Sequence, residues 1–400
     1  MRKNGVCRTL RKIRGGICAV EGFQIGGSIC GMRENGAPDL ALILADKRCP
    51  TACVFSRSQL RGAPNVVNEK HLQNGYAQAI VINSGAATTF LQGGERLAKD
   101  VCALVSKYYG VLQEDVLTVS VGEVGKPLSL SVLDKGLQQA PRAFGREEFN
   151  ADLAARVMAS DGEKQQLFSY SFAIGDYFCR IGGVCAHTKE GATLVFLATN
   201  VGVSPEMLQK ALSAECKETI ELLHTDGLLS PNDIVCIMAN GKAGNSMIDR
   251  PDTEFKKFGD ILYGVLTEVC RLLAAQSGKN KVVYCKVTGA KSKQISRALA
   301  RLVVGNLHVK RMPLCGKLQV EHILYMITEI CADADISTVR ISVCLPEQKA
   351  VIYEEGKKIP VCAEWQIALL QALEIGIEIE LSQGNYASVA YGSACANAQL

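Results

Sequence analysis

The chain has 400 residues, of which 48% are hydrophobic and 21% charged, and it carries a formal net charge of +4 at pH 7. That length implies two or three domain-sized units with ample apolar material for a core. The small charge and the lack of any apolar run of membrane-spanning length set aside nucleic acid and membrane as partners.

Along the chain, a basic cluster comes first: Arg2, Lys3, Arg8, Arg11, Lys12 and Arg14. No aromatic residues are interleaved with it, so it reads as a solvated tail rather than a nucleic-acid arm. No apolar signal segment follows Met1, and a cytoplasmic location is expected. Leu40 to Ala45 and Ala79 to Asn83 read as buried strands, followed by turn chemistry at Asp46-Lys47 and Asn83-Ser84-Gly85. Glu95 to Tyr109 has the apolar spacing of an amphipathic helix and stops at Gly110. Asp115 to Ser120 is a strand ending in Val121-Gly122. Thr193 to Ala198 is another, leading through Ser204-Pro205-Glu206 into a helix that runs to about Leu223.

Asp233 to Ala239 then reads as a strand, Phe255 to Ala275 as a long helix, Lys281 to Thr288 as a strand and Lys293 to Val304 as a helix. Strands at Val339 to Leu345 and Lys349 to Tyr353, a helix at Glu364 to Leu373 and a strand at Gly376 to Leu381 complete the pattern. Helices mixed with strands in both halves predict an α/β to α+β layered architecture.

The chain has 17 cysteines, an odd number, with none closer than Cys49 and Cys53. Most lie in apolar runs, such as Cys102, Cys236, Cys285 and Cys344, where a thiol acts as a small hydrophobe. A reduced protein with structural thiols and no metal site is expected. Asp226 and Asp233 suggest a metal pair less readily than a brace for the turn entering a strand, and Trp365 reads as core.

The segment Gly191-Ala192-Thr193-Leu194-Val195-Phe196 carries the sharpest chemistry. Small residues let the Thr193 hydroxyl approach the preceding carbonyl for an N-to-O acyl shift. Hydrolysis of that ester frees an α-amino group with a pKa near ~8, beside a hydroxyl it can deprotonate. Any strand can begin Ala-Thr, so the rest of the chain has to speak for this reading.

In order, the chain contains Gly15-Gly16-Ile17-Cys18-Ala19-Val20-Glu21-Gly22-Phe23, Gly36-Ala37-Pro38-Asp39-Leu40-Ala41-Leu42-Ile43, Val54-Phe55 with Ala63-Pro64, and Val81-Ile82-Asn83-Ser84-Gly85-Ala86-Ala87. Ser120-Val121-Gly122-Glu123-Val124-Gly125-Lys126-Pro127-Leu128, Asp226-Gly227, Asn232-Asp233 and Ala239-Asn240-Gly241 follow. From about Gly15 to Gly392 the chain resembles the ornithine acetyltransferase family, the bifunctional glutamate N-acetyltransferases. The resemblance implies a self-cleaving N-terminal-threonine nucleophile architecture cut between Ala192 and Thr193. An α chain of residues 1–192 and a β chain of residues 193–400 would stay together as a heterotetramer. It further implies acetyl transfer from N-acetylornithine to glutamate in arginine biosynthesis, through an acetyl-Thr193 ester, with acetyl-CoA a donor for some members. No metal or bound organic cofactor is implied.

The same resemblance marks departures at the chemistry. Val121 stands where the family's oxyanion loop has a threonine, although Gly122 remains to offer its N–H. The family's Lys-Gly-Ser-Gly-Met segment has no room between Gly183 and Ala192, so Lys189, beside His187, is the nearest substrate-binding lysine. Ser277 stands where a glutamate would pair the substrate's amino group. Ser160 takes the place of a substrate-binding threonine, and Asn397 stands in for the family's C-terminal asparagine. Three classes therefore stay open: a working acetyltransferase, a self-processed N-terminal-threonine hydrolase, and a non-catalytic relative or partner subunit.

Overall fold

The computed structural model describes residues 10–139, 144–158, 166–224, 230–277, 281–316 and 319–394, the side chain of Ser277 excepted. Two compact units emerge: Met1–Glu215 with Leu228–Val265, and Cys216–Gly227 with Leu266–Leu400.

In the first unit the strands are β1 (Arg11–Lys12), β2 (Phe23–Ser28), β3 (Leu40–Phe55), β4 (Tyr76–Asn83), β5 (Ala86–Ala87), β6 (Val116–Ser120), β7 (Glu123–Val124), β8 (Phe144–Gly145), β9 (Gln166–Ile174), β10 (Tyr177–His187), β11 (Thr193–Thr199) and β12 (Ile234–Ala239). Its helices are α1 (Ala63–His71), α2 (Gly94–Tyr109), α3 (Leu130–Gln139) and α4 (Glu148–Met158), and α5 (Pro205–Glu218) begins in it. A ten-stranded sheet runs β1-β9-β10-β11-β12-β3-β2-β8, with β4 on β3 and β6 on β4; β5 and β7 form a separate pair.

The unbroken apolar runs of β3 and β4 follow from burial on both sheet faces. Ala41, Ile43, Ile80, Ile82, Leu117, Leu194 and Phe196 join one cluster, which α4 completes with Ala151, Ala154 and Met158. Leu40, Leu42, Ala79, Val81 and Val116 join another, with Val101 and Val105 of α2 and Leu133 of α3. Stacked helix and sheet layers thus fill this unit, as the pattern of elements predicts.

Two details differ from the sequence reading. Asp46-Lys47 is no turn: β3 continues through it with a register shift between Leu44 and Cys49. The charged residues there are held by partners, Asp46 by Arg146 and Lys242, and Arg48 by Asp115. The helix from Pro205 ends at Glu218, and Ile220–Leu222 forms a short 3-10 turn instead of a continuation.

The second unit holds β13 (Val282–Ala290), β14 (Arg340–Leu345), β15 (Gln348–Glu354), β16 (Lys357–Lys358), β17 (Glu374–Glu380) and β18 (Tyr386–Ser393). They form a six-stranded sheet in the order β16-β15-β14-β17-β13-β18. The long helix α6 (Thr253–Ser277) enters it, and α7 (Lys293–Gly305), α8 (Leu307–Cys315), α9 (Val320–Ile330) and α10 (Ala363–Gln371) pack their apolar residues with the sheet. Trp365 is part of that core, as read from its helical pattern.

No helix among the described residues is long and apolar enough to cross a membrane. Cys102, Cys236 and Cys285 are buried, and burial pushes the Cys102 thiol up to about 12, the behaviour of a structural thiol.

Candidate active site

Thr193 opens β11 directly opposite His187, the last residue of β10. The intervening residues 188–192 form a tight loop held by its own hydrogen bonds. Thr188 N–H donates to the Ala192 carbonyl at 2.8 Å, and Gly191 N–H donates to the Thr188 carbonyl at 2.9 Å. Ala192 N–H donates to the Thr188 hydroxyl at 3.1 Å. Gly191 sits at φ +85°, a left-handed conformation that a side chain would strain. The carbonyl of the Ala192–Thr193 bond is therefore already polarised by a backbone donor. Around it, Ala192 is only 2% exposed, while Thr193 is half-buried.

Both polar groups of Thr193 have partners. Its hydroxyl lies 3.4 Å from His187 Nδ1, and its N–H donates to Asp233 Oδ1 at 2.7 Å. Asp233 precedes β12, which pairs with β11 in parallel so that Leu194 lies beside Ile234. Its other oxygen accepts the Ser230 N–H at 3.1 Å. Burial pushes the Asp233 carboxyl up to about 6, against the lowering effect of these two N–H groups. The sequence reading of this residue as a turn brace captures the Ser230 bond; the bond to Thr193 is the part it misses.

A cavity of about 630 Å³ opens in the same unit. Its lining joins the loops after β4 and β6, through Ser84, Gly85, Val121, Gly122 and Glu123, to Thr188, Lys189 and Glu190 of the loop before Thr193. These loops are neighbours because β4 and β6 run parallel with Asn83 beside Ser120. Gly122, at φ +123°, presses on the Gly85 backbone so closely that a Cβ would lie 2.6 Å from its atoms. Val121 is 2% exposed and brings no polar side chain, while its N–H is taken by the Asn83 carbonyl. The Ser84 hydroxyl is buried and has no hydrogen-bond partner among the described residues.

The cavity wall near Met32 and Arg33 is shaped by Asp39. Its buried carboxylate accepts the N–H groups of Cys30, Gly31, Met32 and Arg33 at 2.6–3.1 Å, winding that loop around one charge. Lys126 pairs with Glu34 at 3.4 Å, whereas Lys189, Glu123 and Glu190 form no ion pair among the described residues.

Of the residues singled out from sequence, Val121, Gly122 and Lys189 thus share one cavity, and Ala192 and Thr193 close the loop that contributes to it. Ser277 ends α6 in the second unit. Ser160, Asn397 and Asp226 lie outside the described residues. No group of three or more His, Cys, Asp or Glu among the described residues is placed to hold a metal ion. The contacts of His187 and Asp233 with Thr193, and the place of Ser84, Glu123 and Glu190 in the cavity lining, are what the sequence reading missed. The one signal for His187 was its place just before a short loop that ends at Thr193.

Residues 24–397 match the model of the ArgJ family. The arginine biosynthesis bifunctional protein ArgJ 1 of Clostridium acetobutylicum is 26% identical over 377 residues, covering 92% of each chain. The arginine biosynthesis bifunctional protein ArgJ of Synechococcus sp. is 31% identical over 314 residues, 75% of this chain and 74% of its own. The glutamate N-acetyltransferase of Methanocaldococcus jannaschii is 24% identical over 402 residues and covers 96% of both.

Proposed function

The chain belongs to the ArgJ family, and on that premise we propose that it transfers acetyl from N-acetylornithine to glutamate through an ester on Thr193. It is an acyltransferase of arginine biosynthesis. The observation that carries the assignment of the nucleophile is the placement of Thr193: first residue of a central strand, hydroxyl beside His187 and nitrogen on Asp233.

The chain first cuts itself between Ala192 and Thr193, giving an α chain of residues 1–192 and a β chain of residues 193–400. The ladder supports a pair that stays together after the cut, because β11 is bonded along its length to β10 and β12 to β3, each pairing one piece with the other. The freed α-amino group, with a pKa near ~8, sits on Asp233 and takes the proton of its own hydroxyl. Thr193 Oγ1 attacks the donor's acetyl carbon and ornithine leaves. The glutamate amine then takes the acetyl group, so the cycle is ping-pong with two tetrahedral oxyanions. Gly122 N–H is the oxyanion donor that remains; the missing hydroxyl at Val121 costs about 2.7–4 kcal/mol, a hundred- to thousandfold in rate.

Lys189 takes the substrate carboxylate, and Glu123 and Glu190 face its ammonium group, a charge that Ser277 does not supply. Ser160 and Asn397 complete the substrate contacts that the family resemblance implies. A cytoplasmic heterotetramer is the expected assembly. Intact mass spectrometry, followed by acetyl transfer from N-acetylornithine to glutamate, tests the proposal. A single uncut chain with no transfer would favour the non-catalytic relative. Release of acetate without transfer would favour the hydrolase.

A further inference from the structure

We propose that His187 is the general base of the self-cleavage, so that this chain cuts itself with a His–Thr pair closed by the β10–β11 hairpin. The inference rests on the reading that Ala192–Thr193 is the bond cut. It starts from a contact that hairpin register enforces: directly opposed residues of an antiparallel pair bring their side chains together, and His187 Nδ1 lies 3.4 Å from Thr193 Oγ1. That is slightly long for a formed hydrogen bond and within the range that tightens when a proton begins to move.

The free α-amine that serves as base in acyl transfer does not exist before the cut. The nitrogen is then an amide, and its N–H is donated to Asp233. Another base must take the hydroxyl proton, and His187 is in contact with that hydroxyl. The step balances within the loop. His187 Nδ1 takes the Thr193 hydroxyl proton as Oγ1 forms a bond to the Ala192 carbonyl carbon. The oxyanion that results is the Ala192 oxygen, already held at 2.8 Å by Thr188 N–H, a bond that strengthens as charge develops. The carbon–nitrogen bond breaks, and the proton on His187 passes to the departing Thr193 nitrogen, leaving an ester and a neutral amine. Water then cleaves the ester, giving the Ala192 carboxylate and restoring the Thr193 hydroxyl.

The test follows freshly synthesised full-length chain by mass spectrometry as it cuts, comparing wild type with His187→Gln and His187→Ala. General-base loss should slow the cut about a hundred- to ten-thousandfold in both. Added imidazole should restore part of the rate in His187→Ala alone, where the space for it has been opened. Cutting at the wild-type rate in either variant overturns the inference and leaves the Thr193 reading intact. Slow cutting without imidazole rescue, in a variant that melts as wild type does, also overturns it and reduces His187 to a positioning residue. A wild-type chain that never cuts removes the bond assignment and this inference together.

Discussion

The loop that precedes Thr193 and the loop that follows β6 meet at one cavity and are furnished very differently. In the first, the Ala192 carbonyl and the hydroxyl and nitrogen of Thr193, the groups of the proposed cut, each have a partner within 3.4 Å. In the second, Val121 offers no side-chain donor and the nearby Ser84 hydroxyl is buried with no partner among the described residues. On the proposed reading, self-cleavage and acyl transfer are separate demands on one threonine, since the first uses a carbonyl fixed in the chain and the second a carbonyl that must be bound. If Thr193 serves both, as proposed, the contrast predicts a chain well equipped to cut and slower to transfer.

The largest expected effect breaks both halves at once. Thr193→Ala should give one uncut chain by intact mass and no acetyl transfer, because the same oxygen serves both reactions. A variant that still yields two chains would move the nucleophile elsewhere. Next comes Val121→Thr, which restores a hydroxyl donor beside Gly122. Transfer from N-acetylornithine should rise by about tenfold to several hundredfold, approaching the value of one oxyanion donor. The rate of self-cleavage should stay the same, since its oxyanion is held by Thr188 N–H. Equal effects on both rates would erase the distinction between the loops.

A smaller effect is expected from the cavity charges. Glu123→Gln with Glu190→Gln should raise KM for N-acetylornithine by about tenfold and leave N-acetylnorvaline, which lacks the side-chain ammonium, nearly unchanged. Ion pairs at exposed positions are worth about 0.2–1 kcal/mol each, which sets that scale. A parallel loss on both donors would mean that the two glutamates do not read the ammonium group.

Much of the fold was legible because burial on both sheet faces writes itself as unbroken apolar runs. Leu40 to Ala45, Ala79 to Asn83 and Ile234 to Ala239, within the run read from Asp233, are of this kind, and all are strands. The hairpin of β9 and β10 was not, since Gly182-Gly183 carries no apolar pattern and becomes strand through pairing on both sides. Asp46-Lys47 reads as a turn because the partners that hold Asp46 in the strand, Arg146 and Lys242, are distant in sequence. In the site, Thr193 was legible from local chemistry. Asp233 reaches it only through the parallel pairing of β11 with β12. The contact of His187 with the hydroxyl depends on hairpin register, which composition does not encode.

The smallest effect concerns Asp233, which receives the Thr193 N–H beside the well-furnished loop yet carries a cost of its own. Burial raises its carboxyl from the ordinary carboxylate range to about 6. A group that binds its proton more tightly in the fold than in the unfolded chain stabilises the fold fully below about pH 3.9. That contribution is lost as pH rises through about 6. In a Thr193→Ala background, which keeps the chain uncut, wild-type Asp233 should therefore lower Tm between pH 4 and pH 7 more than Asp233→Asn does. Asparagine keeps an oxygen for the backbone N–H of residue 193 and gives up the one for Ser230 N–H. Its Tm should thus start lower in acid, by the equivalent of about 0.5–1.5 kcal/mol, and fall less with rising pH. Parallel Tm curves for the two proteins would mean that the carboxyl titrates normally. Asp233 would then hold the Thr193 nitrogen without the cost of a buried charge.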